Sequence, residues 1–223
     1  TEMLRSDFIN NFSHEFKTPI VSIAGFAKLL KRGKLPPEQQ REYLDIIEKE
    51  SLRLSYMATN VLSLTKVENQ TILSDVTEFN LSEQLRSCIL MLERKWESKR
   101  LDLQLEFGEH TICANEELLK QVWINLLDNA VKFTPEGHTV RVRIEEGDTS
   151  LLVTVMNTGS EIGPEDQEKI FRKFYQADQS HSAQGNGVGL AVVKRIVDLH
   201  GGEVCVSSAE EVTAFTVELP KKQ

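Results

Sequence analysis

From residue 1 to about residue 68 the chain carries little that can stop a helix: only Pro19, Gly25, Gly33, Pro36 and Pro37 interrupt it. Phe8, Phe12, Phe16, Ile23, Phe26 and Leu30 recur at helical spacing, and Gly33 ends that run. A second helix opens at "LPPEQQ", with proline in its first turn. There Ile47, Leu54, Ala58, Val61 and Thr65 follow a three-four alternation, while Tyr43, Leu44, Leu52, Met57, Leu62 and Leu64 widen the apolar stripe. Two helices packed on each other cannot cover that much apolar surface. The stretch therefore predicts a hairpin that pairs with a second copy into a four-helix bundle.

From residue 77 the period changes. Asn80 and Glu83 form a capping-box pattern, opening a helix expected to reach about Lys95. "LDLQLEF" (101–107) alternates as a strand does, and Asn115 precedes an expected helix through Phe133. "TVRVRIEEGDTSLLVTVMN" (139–157) reads as strand, turn and strand, with Gly147 and Asp148 at the turn. Pro164, Glu165 and Asp166 start a further helix, and residues 188–200 form another that Gly201 and Gly202 close. Strands at 203–207 and 212–219 finish the chain. This order predicts an α+β fold, with helices against one face of a mostly antiparallel sheet. The expected division is a helical hairpin at 1–68, a linker at 69–78 and an α/β-sandwich domain at 79–223.

The 223 residues and 40% hydrophobic content suffice for two small domains with separate cores. A net charge of −8, with lysine and arginine scattered among acids, argues against a nucleic-acid partner. Cys88, Cys113 and Cys205 lie far apart and are odd in number. They read as small core residues in a reducing compartment rather than as disulfides or zinc ligands. No apolar run reaches the roughly 20 residues that span a bilayer. Because the chain starts at Thr1, a sensor or membrane segment is expected upstream of it.

The stretch "NNFSHEFKTPI" (10–20) carries the first chemistry. A helical wheel sets His14 opposite Phe8, Phe12 and Phe16, between Asn10 and Thr18. An ordinary surface histidine is one reading. The neighbouring Glu15 offers another: a carboxylate that takes the proton of one ring nitrogen leaves the second nucleophilic. Pro19 removes the bond to the Glu15 carbonyl, at about 3 kcal/mol in a helix interior, and predicts a bend that opens room for a large reactant.

The helix expected at 116–133 aligns Asn125, Asn129 and Lys132 beside an apolar face of Leu119, Val122, Leu126, Ala130 and Phe133. A carboxamide oxygen suits Mg²⁺ and an ammonium suits phosphate. Each residue alone is equally well a solvated surface, but asparagine is a poor helix former and two of them in mid-helix need a reason. "GNGVGL" (185–190) leads three glycines into a helix whose first amides can hold phosphate. The strand that a Rossmann fingerprint requires does not precede it, and the GxxxxGK[ST] loop is absent. "MNTGSEIG" (156–163) sets Asn157 at a glycine-containing turn, where its side chain can read a base edge. Phe171 and Phe174 in "IFRKFYQ" (170–176) read as core, as the hinge of a lid, or as both.

Together these pieces resemble the cytoplasmic catalytic core of bacterial sensor histidine kinases. "FSHEFKTP" is similar to the phosphoacceptor H box, "NLLDNAVKFT" to the N box and "NTGSEIG" to the G1 box. "IFRKFYQ" resembles the F box and "GNGVGL" the G2 box, in family order over essentially the whole chain. The resemblance implies a homodimerising histidine-phosphotransfer hairpin followed by an ATP-binding domain of the Bergerat type. It implies that His14 takes the γ-phosphoryl group of ATP, with Glu15 as its base, and passes it to an aspartate of a response regulator. Thr18 resembles the position that orients water for dephosphorylating that partner, so a phosphatase activity is also expected. By the same likeness Asn129 binds Mg²⁺ and Lys132 contacts phosphate. Asn125 stands where related ATPases outside the kinases carry a water-activating glutamate, so the γ-phosphate is kept for His14. Phe133, Asn157, Gly159 and Ile162 fall in nucleotide-binding boxes, as do Phe171, Phe174 and Tyr175. Gly185, Gly187, Val188, Gly189 and Leu190 would shape the lid and phosphate site. The full-length protein would be anchored in the bacterial inner membrane, with this portion in the cytoplasm.

Two residues depart from the family's DxGxGI pattern: Asn157 replaces the aspartate and Glu161 the second glycine. Charge-assisted hydrogen bonds are about twice as strong as neutral ones, so Asn157 predicts weaker ATP binding rather than its loss. An ATPase of the gyrase and chaperone type is a competing reading, against which Asn125 and the H-box helix argue. A degenerate kinase kept as a dimeric scaffold is another, against which His14, Asn129 and the glycine loop argue.

Overall fold

The computed structural model describes the backbone of residues 2–173, 175 and 187–222, with side chains in those ranges from residue 13 on, His14 excepted. The side chains of Phe8, Phe12 and His14, and all of Phe174 and Gly185, lie outside the described residues.

Two long helices, α1 (Glu2–Arg32) and α2 (Pro37–Asn69), form the hairpin. Gly33 closes α1 with a left-handed φ of 70°, and Pro37 starts α2 where its missing N–H costs nothing. α1 continues through Pro19, which is buried. Phe26 meets Tyr43 across the hairpin with ring centroids 5.0 Å apart. Along α2 the expected stripe shifts: Thr65 is exposed and its hydroxyl donates back to the Val61 carbonyl, while Met57, Leu64 and Val67 are the buried residues. Leu44, Leu52 and Leu62 remain 57%, 65% and 71% exposed, so one copy of the chain leaves much of the stripe uncovered.

The second unit begins with β1 (Val76–Asn80), which pairs antiparallel with β3 (Thr111–Asn115). The linker expected at 69–78 is therefore shorter, because α2 holds to Asn69 and β1 starts at Val76. Asn80 caps α3 (Leu81–Met91) by accepting the Glu83 N–H at 3.0 Å. The helix expected through Lys95 stops at Met91. The Ile89 carbonyl is taken by the Trp96 indole at 3.1 Å and by the Leu92 N–H, and a separate α4 (Glu93–Ser98) follows.

A five-stranded sheet runs in the order β2-β4-β5-β7-β6, formed by β2 (Asp102–Glu106), β4 (Thr139–Glu146), β5 (Ser150–Thr158), β6 (Glu203–Ala209) and β7 (Val212–Pro220). Only β2 and β4 pair in parallel. Leu151, Val153 and Val155 of β5 alternate inward, as do Phe215, Val217 and Leu219 of β7. They pack with α5 (Glu116–Phe133) and α7 (Gly189–Leu199), which bury Leu119, Val122, Trp123 and Leu126 and Val192, Val193, Ile196 and Val197. A one-turn α6 (Pro164–Gln167) follows the G1 region. The core takes in Leu64 and Val67 of α2, so the hairpin's end is part of the same packed body. Of the three cysteines read as core, only Cys88 is buried, which pushes its thiol up to about 11. Cys113 is half-buried and Cys205 lies exposed on the edge strand β6. Among the described residues no helix is long and apolar enough to cross a membrane.

Candidate functional site

α5 has both ends fixed. Its N-cap Asn115 accepts the Leu118 N–H at 2.9 Å and donates to the Ser74 carbonyl at 2.8 Å. The fully buried His200, at the end of α7, accepts the Asn115 N–H at 3.2 Å on Nε2 and faces the Ile196 carbonyl with Nδ1 at 2.8 Å. That pairing puts the ring proton on Nδ1, and burial holds the imidazole below its ordinary value. At the other end the Lys99 ammonium donates to the carbonyls of Val131, Lys132 and Thr134 at 2.8, 2.7 and 3.0 Å. It neutralises the negative end of the helix dipole. Burial lowers its pKa.

Between these anchors α5 presents the polar stripe. Asn125, Asn129 and Lys132 are all half-buried. Asn125 donates to the Gln121 carbonyl at 2.8 Å and turns Oδ1 toward α7, where a Cβ built on Gly189 would stand 2.7 Å from it. Only a glycine lets α7 approach α5 this closely. Lys132 lies over the Phe133 ring, 4.6 Å from its centroid, and Phe133 is half-exposed. Burial depresses the pKa of Lys132; Asp128 opposes the shift and Arg53 adds to it.

At the N-terminus of α7 no side-chain cap hydrogen bond is made among the described residues. Its N-cap is Val188, buried and without a capping side chain, preceded by Gly187 at a φ of 62°. Gly189 and Leu190 are half-buried in the first turn. Uncapped amides at a helix start and a glycine approach that a side chain would fill are features that suit a phosphate. The residues therefore fit a nucleoside triphosphate.

The G1 region begins at the C-terminal end of β5. Asn157 is 3% exposed and its Nδ2 donates to Ser160 Oγ at 2.8 Å. Gly159 takes a φ of 81°, and a Cβ there would meet His138 Nδ1 at 2.5 Å and Pro135 Cδ at 2.8 Å. Ile162, half-buried, donates its N–H to Ser208 Oγ at 2.8 Å. Glu161 is exposed and accepts the Glu211 N–H at 3.2 Å, so it anchors the turn to the β6–β7 loop. Phe171 stands edge-on to Phe215 at 6.3 Å, and Tyr175 donates to Asp166, which raises its pKa. The F-box aromatics described here are thus anchored in the domain.

On the hairpin, Glu15 is half-buried and its carboxylate lies 3.3 Å from Arg53 of α2. Thr18 is exposed. Lys173 pairs with Glu68, and Arg195 of α7 donates to the Gln70 carbonyl at 2.6 Å, fastening the second unit to the end of α2. Sequence reading did not single out Ser160, Ser208, Thr213 and Gln167, which form one polar network behind Asn157. Thr213 had a legible signal, being polar at the buried parity of a strand that continues Phe215, Val217 and Leu219. Lys99 and His200 had none, because the carbonyls that Lys99 meets and the Asn115 N–H that His200 accepts lie far away in sequence.

Residues 4–70 match the His Kinase A (phospho-acceptor) domain family. Residues 114–223 match the family of histidine kinase-, DNA gyrase B- and HSP90-like ATPases. The circadian input-output histidine kinase CikA of a Synechocystis strain is 33% identical over 99% of this chain and 31% of its own length. The nucleotide-free catalytic domain of histidine kinase ThkA is 33% identical over 66% of this chain and 97% of that domain, with a TM-score of 0.61. ThkA in complex with the response regulator TrrA aligns with 96% of this chain and 61% of its own, at 29% identity and a TM-score of 0.81. ShkA in complex with AMPPNP aligns with 98% of this chain and 45% of its own, at 29% identity and a TM-score of 0.71. The chain spans 24% to 31% of the length of curated relatives such as CikA and GacS. It belongs to the sensor histidine kinases of two-component signalling, as a protein-histidine kinase core that joins a phosphoacceptor hairpin to an ATP-binding domain.

Proposed function

We propose that this chain is a Mg-ATP-dependent autokinase that phosphorylates His14 and then donates the phosphoryl group to a response regulator. ATP lies between α5, the G1 turn and the start of α7. Asn157 meets the base, while Gly187, Gly189 and Lys132 face the phosphates. Asn129 supplies one oxygen ligand to Mg²⁺. Among the described residues no three His, Cys, Asp or Glu side chains converge on a metal cage, so its other ligands would come from water and phosphate. The ion, when bound, neutralises phosphate charge.

A ring nitrogen of His14 attacks the γ-phosphorus, the bond to the β–γ bridging oxygen breaks, and ADP leaves. Glu15 steadies the proton on the other ring nitrogen, through a carboxylate that Arg53 of α2 meets at Oε2. Asn125 carries no basic group, so water is not activated in competition with His14. The phosphoryl group then passes to an aspartate of a receiver domain, a partner class supported by the ThkA–TrrA likeness. Thr18 orients water for a separate phosphatase reaction, hydrolysis of the partner's phospho-aspartate to free phosphate. Two copies pair through the hairpin, and a sensor region with an inner-membrane anchor lies upstream. In this division the hairpin takes 1–68, and the connector expected at 69–78 gives way to the ATP-binding unit where β1 begins.

The observation that carries the reading is the closure of α5 on α7 at Asn125 and Gly189, which sets the asparagine stripe beside an uncapped helix N-terminus. Incubation with Mg²⁺ and γ-labelled ATP tests it. The chain should acquire label that is stable in alkali and lost in acid, and His14→Gln and Asn129→Asp should both abolish it. Nucleotide binding without label in the unmutated chain would contradict the reading.

A further inference from the structure

Along β5 the helix-facing positions run Leu151, Val153, Val155 and Asn157, so an apolar row ends in a buried carboxamide. Its Nδ2 is on Ser160 Oγ at 2.8 Å, and among the described residues no donor meets its Oδ1. The turn that carries Ser160 is held from behind. Thr213 Oγ1 donates to the Ser160 carbonyl at 3.1 Å, and Gln167 Nε2 bridges the Ile162 and Ser208 carbonyls at 2.8 and 2.9 Å. These bonds hold the backbone that presents the Ser160 hydroxyl to Asn157.

A carboxamide has one donor end and one acceptor end, whereas a hydroxyl is both. With Nδ2 on Ser160, the atom offered to a base is the acceptor Oδ1. A half-turn of the amide about χ2 puts Oδ1 on Ser160, whose hydroxyl then donates, and offers the donor Nδ2 instead. Either orientation keeps the bond to Ser160. A carboxylate in the same position offers an acceptor whichever way it turns, and so demands a donor on the base.

We propose that Asn157 and Ser160 together read the purine 6-position adaptably, so that the site takes 6-oxopurine nucleoside triphosphates about as readily as 6-aminopurine ones. This rests on the reading of Asn157 as the base contact. A 6-amino group donates to Oδ1; a 6-oxo group accepts from Nδ2 after the flip.

The test is calorimetric titration of the chain with Mg-ATP and Mg-ITP, which differ at the 6-position and its adjoining ring nitrogen and not in the bulk of a 2-amino group. The two Kd values should agree within about threefold in the unmutated chain. In Asn157→Asp the ITP complex should become at least about tenfold weaker than the ATP complex, the usual cost of one buried polar mismatch. A tenfold or larger ATP preference in the unmutated chain, or a ratio that Asn157→Asp leaves unchanged, overturns the proposal. Asn157→Ala separates the two levels of failure. If it weakens ATP while the ratio behaves as just described, only the adaptable reader fails. If it leaves the ATP Kd unchanged, Asn157 does not meet the base and the site assignment itself fails.

Discussion

α2 and α5 are both long amphipathic helices, and they dispose of their apolar faces in opposite ways. The 18 residues of α5 bury Leu118, Leu119, Val122, Trp123, Leu126, Leu127, Ala130 and Val131 within the domain. The 33 residues of α2 bury only Met57, Leu64 and Val67, and the last two do so against the ATP-binding unit. Leu44 and Leu62 lie on one line of α2, an integral number of turns apart, and both are exposed. An apolar stripe in a sequence therefore says which face is buried and leaves open what covers it. For α5 the cover is the chain's own sheet; for α2, on the reading proposed here, it is largely a second copy.

The sharpest way to break this contrast is to empty the self-covered core. Trp123→Ala removes a fully buried side chain and leaves Gln84 without its 2.8 Å partner, so urea unfolding should show a loss of about 3–5 kcal/mol. Lys99→Met strips three carbonyls at the end of α5 of a charged donor and should cost about 1–2 kcal/mol in the same measurement. A null result would show that α5 does not need its C-terminal cap.

The next effect is on pH dependence. Burial places the folded pKa of His200 below its ordinary value of 6.5, so below that pH the unfolded chain binds a proton that the folded chain refuses. Stability should be complete above about 6.5 and fall on acidification through the folded value, by up to ~1.4 kcal/mol per pH unit. His200→Gln should flatten that part of the slope between pH 7.5 and 5.5. The smallest effect is expected on the other helix, where Leu62→Ala should shift the unfolding of the ATP-binding unit by less than about 0.5 kcal/mol.

Elements with strong periods were legible in the sequence. The α5 cap at Asn115, the β4–β5 hairpin and the α7 helix before Gly201 stand at or within a residue of where their signals lie. β1 and β3 were not legible. β1 pairs with one strand only and leaves nearly every side chain exposed, so it has no alternation to read. The end of α3 depended on a long-range act, the capture of the Ile89 carbonyl by the Trp96 indole. At the site, the glycines and asparagines were visible as residue types, and their meeting was not: nothing in the string brings Gly189 against Asn125 or His138 against Gly159. The ion pair of Glu15 with Arg53 could not be read from a helix wheel that treats α1 alone.

Sedimentation equilibrium of the chain beside a Leu44→Lys/Leu62→Lys double variant tests most directly the claim that one region is complete and the other is not. The unmutated chain should sediment as a dimer at micromolar concentration. The variant should be a monomer whose ATP-binding unit unfolds at the same denaturant concentration. A monomeric unmutated chain, or a variant whose ATP-binding unit loses stability along with the dimer, would contradict it.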